Sequence, residues 1–191
     1  GAAVSFVGSS MAHQAEVLRA EFFRCYGQFA GGSADKLADA RETLAQLLLE
    51  QRQDFSNYRL PEMFAREFAP FIAWMLRQGS TEDPVRWLAE ISASEKRLTY
   101  LQALGEFSLH AWGDAGLRAI ESHGGVYRGY AGHEIELNKI YASTGVNVDI
   151  NRIYQADIVT MRVFDVLACG GFVLVEHSDA LADLFATGSE I

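Results

Sequence analysis

The chain has 191 residues, 49% of them hydrophobic and 21% charged, with 16 basic against 25 acidic side chains and a formal charge of −9. That is a globular composition, long enough to bury a core without help from a metal or disulfides. The acidity argues against nucleic-acid or anionic-membrane partners, no apolar run reaches the ~20 residues of a membrane span, and the two cysteines, Cys25 and Cys169, fit a reducing, cytoplasmic setting.

The chain opens Gly-Ala-Ala without a methionine and stops just past Thr187-Gly188-Ser189, so both ends read as cuts in a longer protein. Ala3–Val7 (AVSFV) is a short β-branched run closed by Gly8-Ser9-Ser10, the pattern of a buried strand ending in a small-residue turn. From about His13 to Leu104 the period is helical. Val17, Leu18, Phe22 and Cys25 recur at three- and four-residue steps, and Leu37, Leu44, Leu47 and Leu48 share one face of a helix over 34–53 capped by Ser33. Pro61 opens a further helix carrying the stripe Phe64, Phe68, Phe71, Ile72 and Met75, with a kink or break expected at Pro70. Pro84 starts the last helical stretch, with Trp87, Leu88, Ile91, Leu98, Leu101 and Leu104 as its apolar positions.

After Gly105 the pattern alternates. Strands are expected at Phe107–Trp112, Val126–Tyr130, Gly145–Ile150 and Phe172–Glu176, and helices at Ala115–Ser122, Glu134–Ser143, Ile158–Ala168 and Asp179–Phe185. Such alternation implies βαβ units and a parallel sheet covered on both faces. With the first strand included, the expected fold is α/β: a five-stranded, Rossmann-like doubly wound sheet over 1–10 and 105–191, interrupted after its first strand by an all-helical insertion over 11–104.

Ligands of open parallel sheets bind beyond the carboxyl ends of the strands, so the loops there are the candidate sites. Gly8, Ser9 and Ser10 offer backbone N–H groups and hydroxyls to a phosphate, or form an ordinary βα turn. Tyr130, Gly132 and His133 follow the third strand: the tyrosine would stack on a base and the histidine reach a phosphate or sugar hydroxyl, unless the loop simply covers the sheet edge. Asn151 to Asp157 form the longest polar loop, with Arg152 inside it and Thr160, Arg162 and Asp165 in the following helix. Arg162 and Asp165 are neighbours on one helix face, either a phosphate-and-ribose pair or a local ion pair. The five histidines show no metal-ligand spacing. The segment 105–191 carries 5 basic and 12 acidic residues, so an anion there would need local devices: Arg152, Arg162, Lys139 and backbone amides.

The ordered segments HAWGDAGLRAI, YRGYAGHEIELNKIYASTGVNVDI and MRVFDVLACGGFVLVEHSDALADLFATGSEI resemble the C-terminal half of glycosyltransferases of GT-B fold. Within these the chain is most similar to the CgeB-like, spore-maturation-type glycosyltransferase-like proteins, through the run RVFDVLACGGFVLVEH followed by LADLF and GSEI. AVSFVGSS resembles the first strand of the same domain. The helical region matches loosely, except near Glu95-Lys96-Arg97-Leu98. The resemblance implies a nucleotide-sugar-binding domain, incomplete at its C-terminus, in which two acidic residues with seven others between them frame the donor. Asp165 falls at the second, ribose-contacting position and Asp157 at the first. Gly8-Ser9 matches the turn near the diphosphate, and Tyr130–Gly132 the loop beside the base. A basic pair that clamps the diphosphate in related enzymes is absent after Gly8, where two serines follow. A catalytic side chain is expected in an N-terminal domain outside these residues.

The resemblance thus implies a donor-side glycosyltransferase fragment, inactive on its own, using a nucleotide-diphosphate sugar and no metal or other cofactor, since no D-x-D motif occurs. Its partners would be the donor and an acceptor, with no nucleic acid. The competing reading is an inactive scaffold whose helical insert serves as a protein-interaction or self-association surface through Phe64, Phe68, Phe71 and Trp74.

Overall fold

The computed structural model describes residues 2–132, 135–186 and 188. In chain order, β1 (Val4–Val7) leads to five helices: α1 (Ala12–Phe29), α2 (Ala34–Arg52), α3 (Leu60–Glu67), α4 (Ala69–Arg77) and α5 (Pro84–Ala103). Then come β2 (Leu109–Trp112), β3 (Val126–Tyr127), α6 (Ile135–Ser143), β4 (Val146–Asp149), α7 (Met161–Ala168), β5 (Val173–Val175) and α8 (Asp179–Ala182). The strands form one parallel sheet in the order β3-β2-β1-β4-β5. This is the α/β fold read from the alternating pattern, with α1–α5 lying between β1 and β2 in the sequence.

The chain divides into two compact units, residues 1–10 with 97–191, and Met11–Lys96. The division falls inside α5, so the last turns of that helix, with Leu101 wholly buried, belong to the sheet unit.

The sheet unit has an apolar core on each face. Val4, Phe6, Leu109, Ala111, Leu117 and Ile120 pack with Leu101 in one. Ile140, Tyr141, Val163, Val166, Val173 and Leu181 form the other. Period-two alternation sends successive strand residues to these opposite faces. The buried polar residue Asn147 is satisfied by its surroundings: it accepts from Ser5 Oγ at 2.6 Å and donates to the carbonyls of Tyr141 and Phe172, each at 3.1 Å. That bonding ties β4 to β1 and to the entry of β5, and spares the desolvation cost of an unpaired amide.

In the helical unit, the Phe22 ring meets Phe23, Tyr26, Phe64, Phe68 and Phe71 at centroid distances of 5.1–6.0 Å. Phe64, Phe68 and Phe71 are buried and the partly buried Trp74 packs against the same cluster, so most of the aromatic stripe lies in the interior of this unit. Gln51 is wholly buried with its amide fully used. It donates to Asp54 O (2.7 Å) and Asn57 O (2.9 Å) and accepts from the N–H groups of Arg59 and Leu60, both at 3.0 Å. One side chain thereby folds the whole α2–α3 loop. Glu95 pairs with Arg19 at 3.1 Å and with Arg52 at 3.3 Å, joining α5 to α1 and α2.

Pro70 marks a break, as expected. The helix ends at Glu67, and α4 restarts with Pro70 in its first turn, where a missing N–H costs nothing. Several expected elements are shorter. The 115–123 segment is a 3-10 helix, opened by Asp114 accepting from Gly116 N and closed by Gly124 at φ 86°. β2 starts only at Leu109, because Ser108 takes a left-handed conformation (φ 56°). β3 stops at Tyr127, where Gly129 (φ 79°) bends the chain off the sheet edge. α7 starts at Met161, three residues late, because Thr160 is held extended at its N-cap. α8 ends at Ala182, and the expected start of α6 at Glu134 lies outside the described residues.

The Cys169-Gly170-Gly171 run closes α7 with a Schellman motif: Gly170 N–H bonds Leu167 O (2.9 Å) and Gly171 N–H bonds Val166 O (3.0 Å), with Gly170 at φ 72°. A Cβ on Gly171 would lie 2.5 Å from Tyr141 O, so this position is glycine for lack of room.

Candidate functional site

The sheet order reverses between β1 and β4: β2 and β3 lie to one side of β1, and β4 and β5 to the other. Their carboxyl ends diverge there and leave a crevice, the usual ligand position in such sheets. A cavity of about 900 Å³ occupies it.

One wall is built by arginines and one buried acid. Asp149, the last residue of β4, is completely buried. Its two oxygens accept from the Thr160 hydroxyl and from the Arg162 guanidinium. Thr160 sits at the N-cap of α7 but spends its hydroxyl on Asp149, so no side chain caps that helix where Met161 and Arg162 line the cavity. Arg162 also lies over the Phe6 ring, 5.6 Å from its centroid, and leaves little room above Gly8, where a Cβ would be 3.0 Å from its Nη2. Arg97, from α5, approaches the same ring at 5.7 Å. It donates to Ser9 O and Ile150 O, both at 2.8 Å. Burial, with Arg162 and Arg152 nearby, pushes its pKa down to about 10, so it remains charged at neutral pH. Arg152 lines the cavity and donates to the Tyr154 hydroxyl at 2.8 Å.

The opposite end is aromatic and apolar: Trp112, Tyr130, Ala131 and Leu137 line it, with Tyr130 71% exposed. Tyr141 lines the cavity near Arg162. Burial raises its phenol pKa, and the neighbouring guanidinium only partly counters this.

The Gly8-Ser9-Ser10 turn is bound up internally. Gly8 N–H donates to Trp112 O at 2.9 Å, Ser10 N–H to Asp114 at 2.7 Å, and the Ser9 and Ser10 hydroxyls both go to Asp114. These bonds lock the ends of β1 and β2 together, while Gly8 and Ser9 line the cavity. Burial acts to raise the Asp114 pKa, but hydrogen bonds from Ser10, Ser9 and Gly116 outweigh it and hold the carboxyl below its ordinary range. Gly113 makes the turn fit, since a Cβ there would lie 1.8 Å from Gly8 O.

Of the expected site residues, Gly8, Ser9, Tyr130, Arg152, Thr160, Arg162 and Asp165 line the one cavity. Ser10 is buried behind Ser9, and Gly132 N–H is taken by Glu136 at 2.9 Å. Asp157 lies outside the lining and accepts from Ala180 N–H at 2.8 Å, in the first turn of α8. His133 falls outside the described residues. Arg162 turns to Asp149, not to Asp165, so the local ion pair is not the arrangement adopted. Reading the loops alone missed Asp149, Asp114 and Arg97, and took Asn151 only as the first residue of the polar loop. Asp149 had a signal: it is the one charged side chain in the strand GVNVDI, at the strand's carboxyl end. Arg97 had a weaker one, standing in the Glu95–Leu98 stretch. Among the described residues, no three His, Cys, Asp or Glu side chains converge as a metal site.

The model of the glycosyl transferase-like family matches residues 86–191. The chain belongs to that family. The matched range begins inside α5 and includes the arginine wall, Asp114, Asp149 and the aromatic end, whereas β1 and its turn lie before it. No curated protein and no solved structure compared with the chain matches it. Among the described residues no helix is long and apolar enough to cross a membrane.

Proposed function

We propose that this glycosyl transferase-like chain is the donor side of a GT-B glycosyltransferase of the CgeB-like type and that the cavity takes a nucleotide-diphosphate sugar. The observation that carries this reading is the division of the cavity: guanidinium groups converge at the β1/β4 crevice, and an aromatic, apolar wall lies at the other end. A diphosphate fits the first and a nucleobase the second, with Tyr130 and Trp112 as stacking surfaces. In this reading Asp165, exposed on the first turns of α7 and lining the cavity, accepts from a ribose hydroxyl.

In the transfer, the bond between the anomeric carbon and the distal phosphate oxygen breaks, the anomeric carbon bonds the oxygen of an acceptor hydroxyl whose proton passes to a base or to solvent, and the diphosphate leaves with added charge. Preorganised cations in a partly dehydrated crevice stabilise that charge more than the ground state. Arg162 is fixed for this role by Asp149, so little reorganisation is needed when charge develops.

Isothermal titration of the chain with UDP-, GDP-, ADP- and TDP-sugars tests the reading. Binding of one base class with 1:1 stoichiometry is expected. Absence of binding across the panel removes it.

A further inference from the structure

The cavity wall contains a buried cation whose charge is answered by no carboxylate hydrogen bond. Arg97 is only 9% exposed. Both its terminal nitrogens go to backbone carbonyls, of Ser9 and Ile150, and its Nε has no hydrogen-bond partner. Beside it, Asn151 Oδ1 is also buried without a partner, and both residues line the cavity. Both atoms are closed off from solvent, and leaving buried polar atoms unsatisfied is costly. The carboxylates of Asp149 and Asp114 attract Arg97 from nearby but give it no hydrogen bond. Asp149 is occupied by Thr160 and Arg162, Asp114 by Ser9, Ser10 and Gly116, and Arg152 and Arg162 are themselves positive.

The two carbonyls that Arg97 holds lie just past the ends of β1 and β4, the strands on either side of the crevice. We propose that Arg97 is a positioning residue for the diphosphate of a nucleotide donor: it sets the spacing of the β1 and β4 ends, and its unanswered charge makes the crevice selective for a dianionic or more highly charged phosphate group. This inference rests on the nucleotide-sugar reading and adds a residue outside the loops to it. It explains how a site whose glycine turn is committed to Asp114 still attracts an anion. A lysine would keep the charge but lacks the planar fork that bridges two carbonyls at once.

The test compares wild type, Arg97→Lys and Arg97→Met by ligand-observed NMR. The probes are the four nucleoside diphosphates (UDP, GDP, ADP, TDP), inorganic pyrophosphate and the corresponding uncharged nucleosides, with thermal unfolding as the control for folding. Wild type is expected to bind one nucleoside diphosphate more tightly than its nucleoside. Both variants should lose about tenfold or more in affinity for that diphosphate and for pyrophosphate, with nucleoside affinity changed less than about twofold. Arg97→Lys keeps the test valid if the methionine variant fails to fold. Diphosphate affinity unchanged in folded Arg97→Lys overturns the proposal, as does a parallel loss of nucleoside affinity, which marks a merely structural role. No binding by wild type to any diphosphate or to pyrophosphate removes the nucleotide-sugar reading and this inference together.

Discussion

Asp149, buried at the end of β4, holds the guanidinium of Arg162, which stands in the first turn of α7 and is partly exposed to the cavity. A pair this buried contributes little net stability over an apolar substitute, but removing one member strands the other charge. Asp149→Ala is therefore expected to destabilise the chain by about 3–5 kcal/mol. The double variant Asp149→Ala/Arg162→Met should regain part of that loss. Urea unfolding of the two single variants and the double variant gives the coupling energy, and additivity would contradict the pairing.

Asp114 predicts an acid-sensitive sheet unit. Its folded pKa is depressed, so the unfolded chain binds the proton first as pH falls. Its contribution to stability is fully present above the ordinary carboxylate pKa of about 4 and is lost as pH drops from there through the folded value. Asp114→Asn should destabilise the chain by its full, pH-independent amount above about pH 4 and by progressively less below it, flattening the acid limb of the unfolding free energy. An unchanged acid limb would show that Asp114 is not the group responsible.

Two glycines should respond very differently to alanine. At Gly113 a Cβ meets the Gly8 carbonyl at 1.8 Å, so Gly113→Ala must push the ends of β1 and β2 apart, at a cost of about 3 kcal/mol or more. At Gly170 a Cβ meets nothing within 4 Å, and only the left-handed backbone resists it, costing about 1 kcal/mol. Thermal unfolding of both variants checks the ranking.

Gln51→Ala removes the single amide that satisfies four backbone groups of the α2–α3 loop. A loss of about 2–3 kcal/mol is expected, together with faster proteolysis between Gln53 and Arg59. Gln51→Glu should not rescue it, because the carboxylate has no N–H to give Asp54 and Asn57.

Asp165→Ala separates ribose from phosphate recognition. The variant should bind the preferred nucleoside diphosphate about tenfold more weakly and bind pyrophosphate as wild type does. Equal affinity for the nucleoside diphosphate would remove the ribose role assigned to Asp165.

The fold was legible because each level of the sequence agreed. The helical period over about ninety residues, the switch to alternating strands after Gly105 and the break at Pro70 all reflect local propensity that packing reinforces. Element ends were less legible, because tertiary hydrogen bonds set them. Thr160 delays α7 by bonding to Asp149 across the crevice, and no window of sequence around 158–161 contains that partner. The site was half legible for the same reason. Loops after strands pointed to Tyr130, Arg152, Arg162 and Asp165, since topology alone brings strand ends together. Arg97 arrives from a helix far from any strand end in sequence, and Asp157 is drawn off to the start of α8.

The strand at the centre of the sheet precedes both of its partners in sequence: Val4 pairs with Leu109 on one side and Val146 on the other. Those contacts close very long loops, whose entropy must be spent before the pairing rewards it. On the ribosome, β1 emerges with no partner, and the helices of Met11–Lys96, whose contacts are short in sequence, have everything they need to fold before β2 is synthesised. The crevice between β1 and β4 is consequently among the last features to form, since it needs both strands in place.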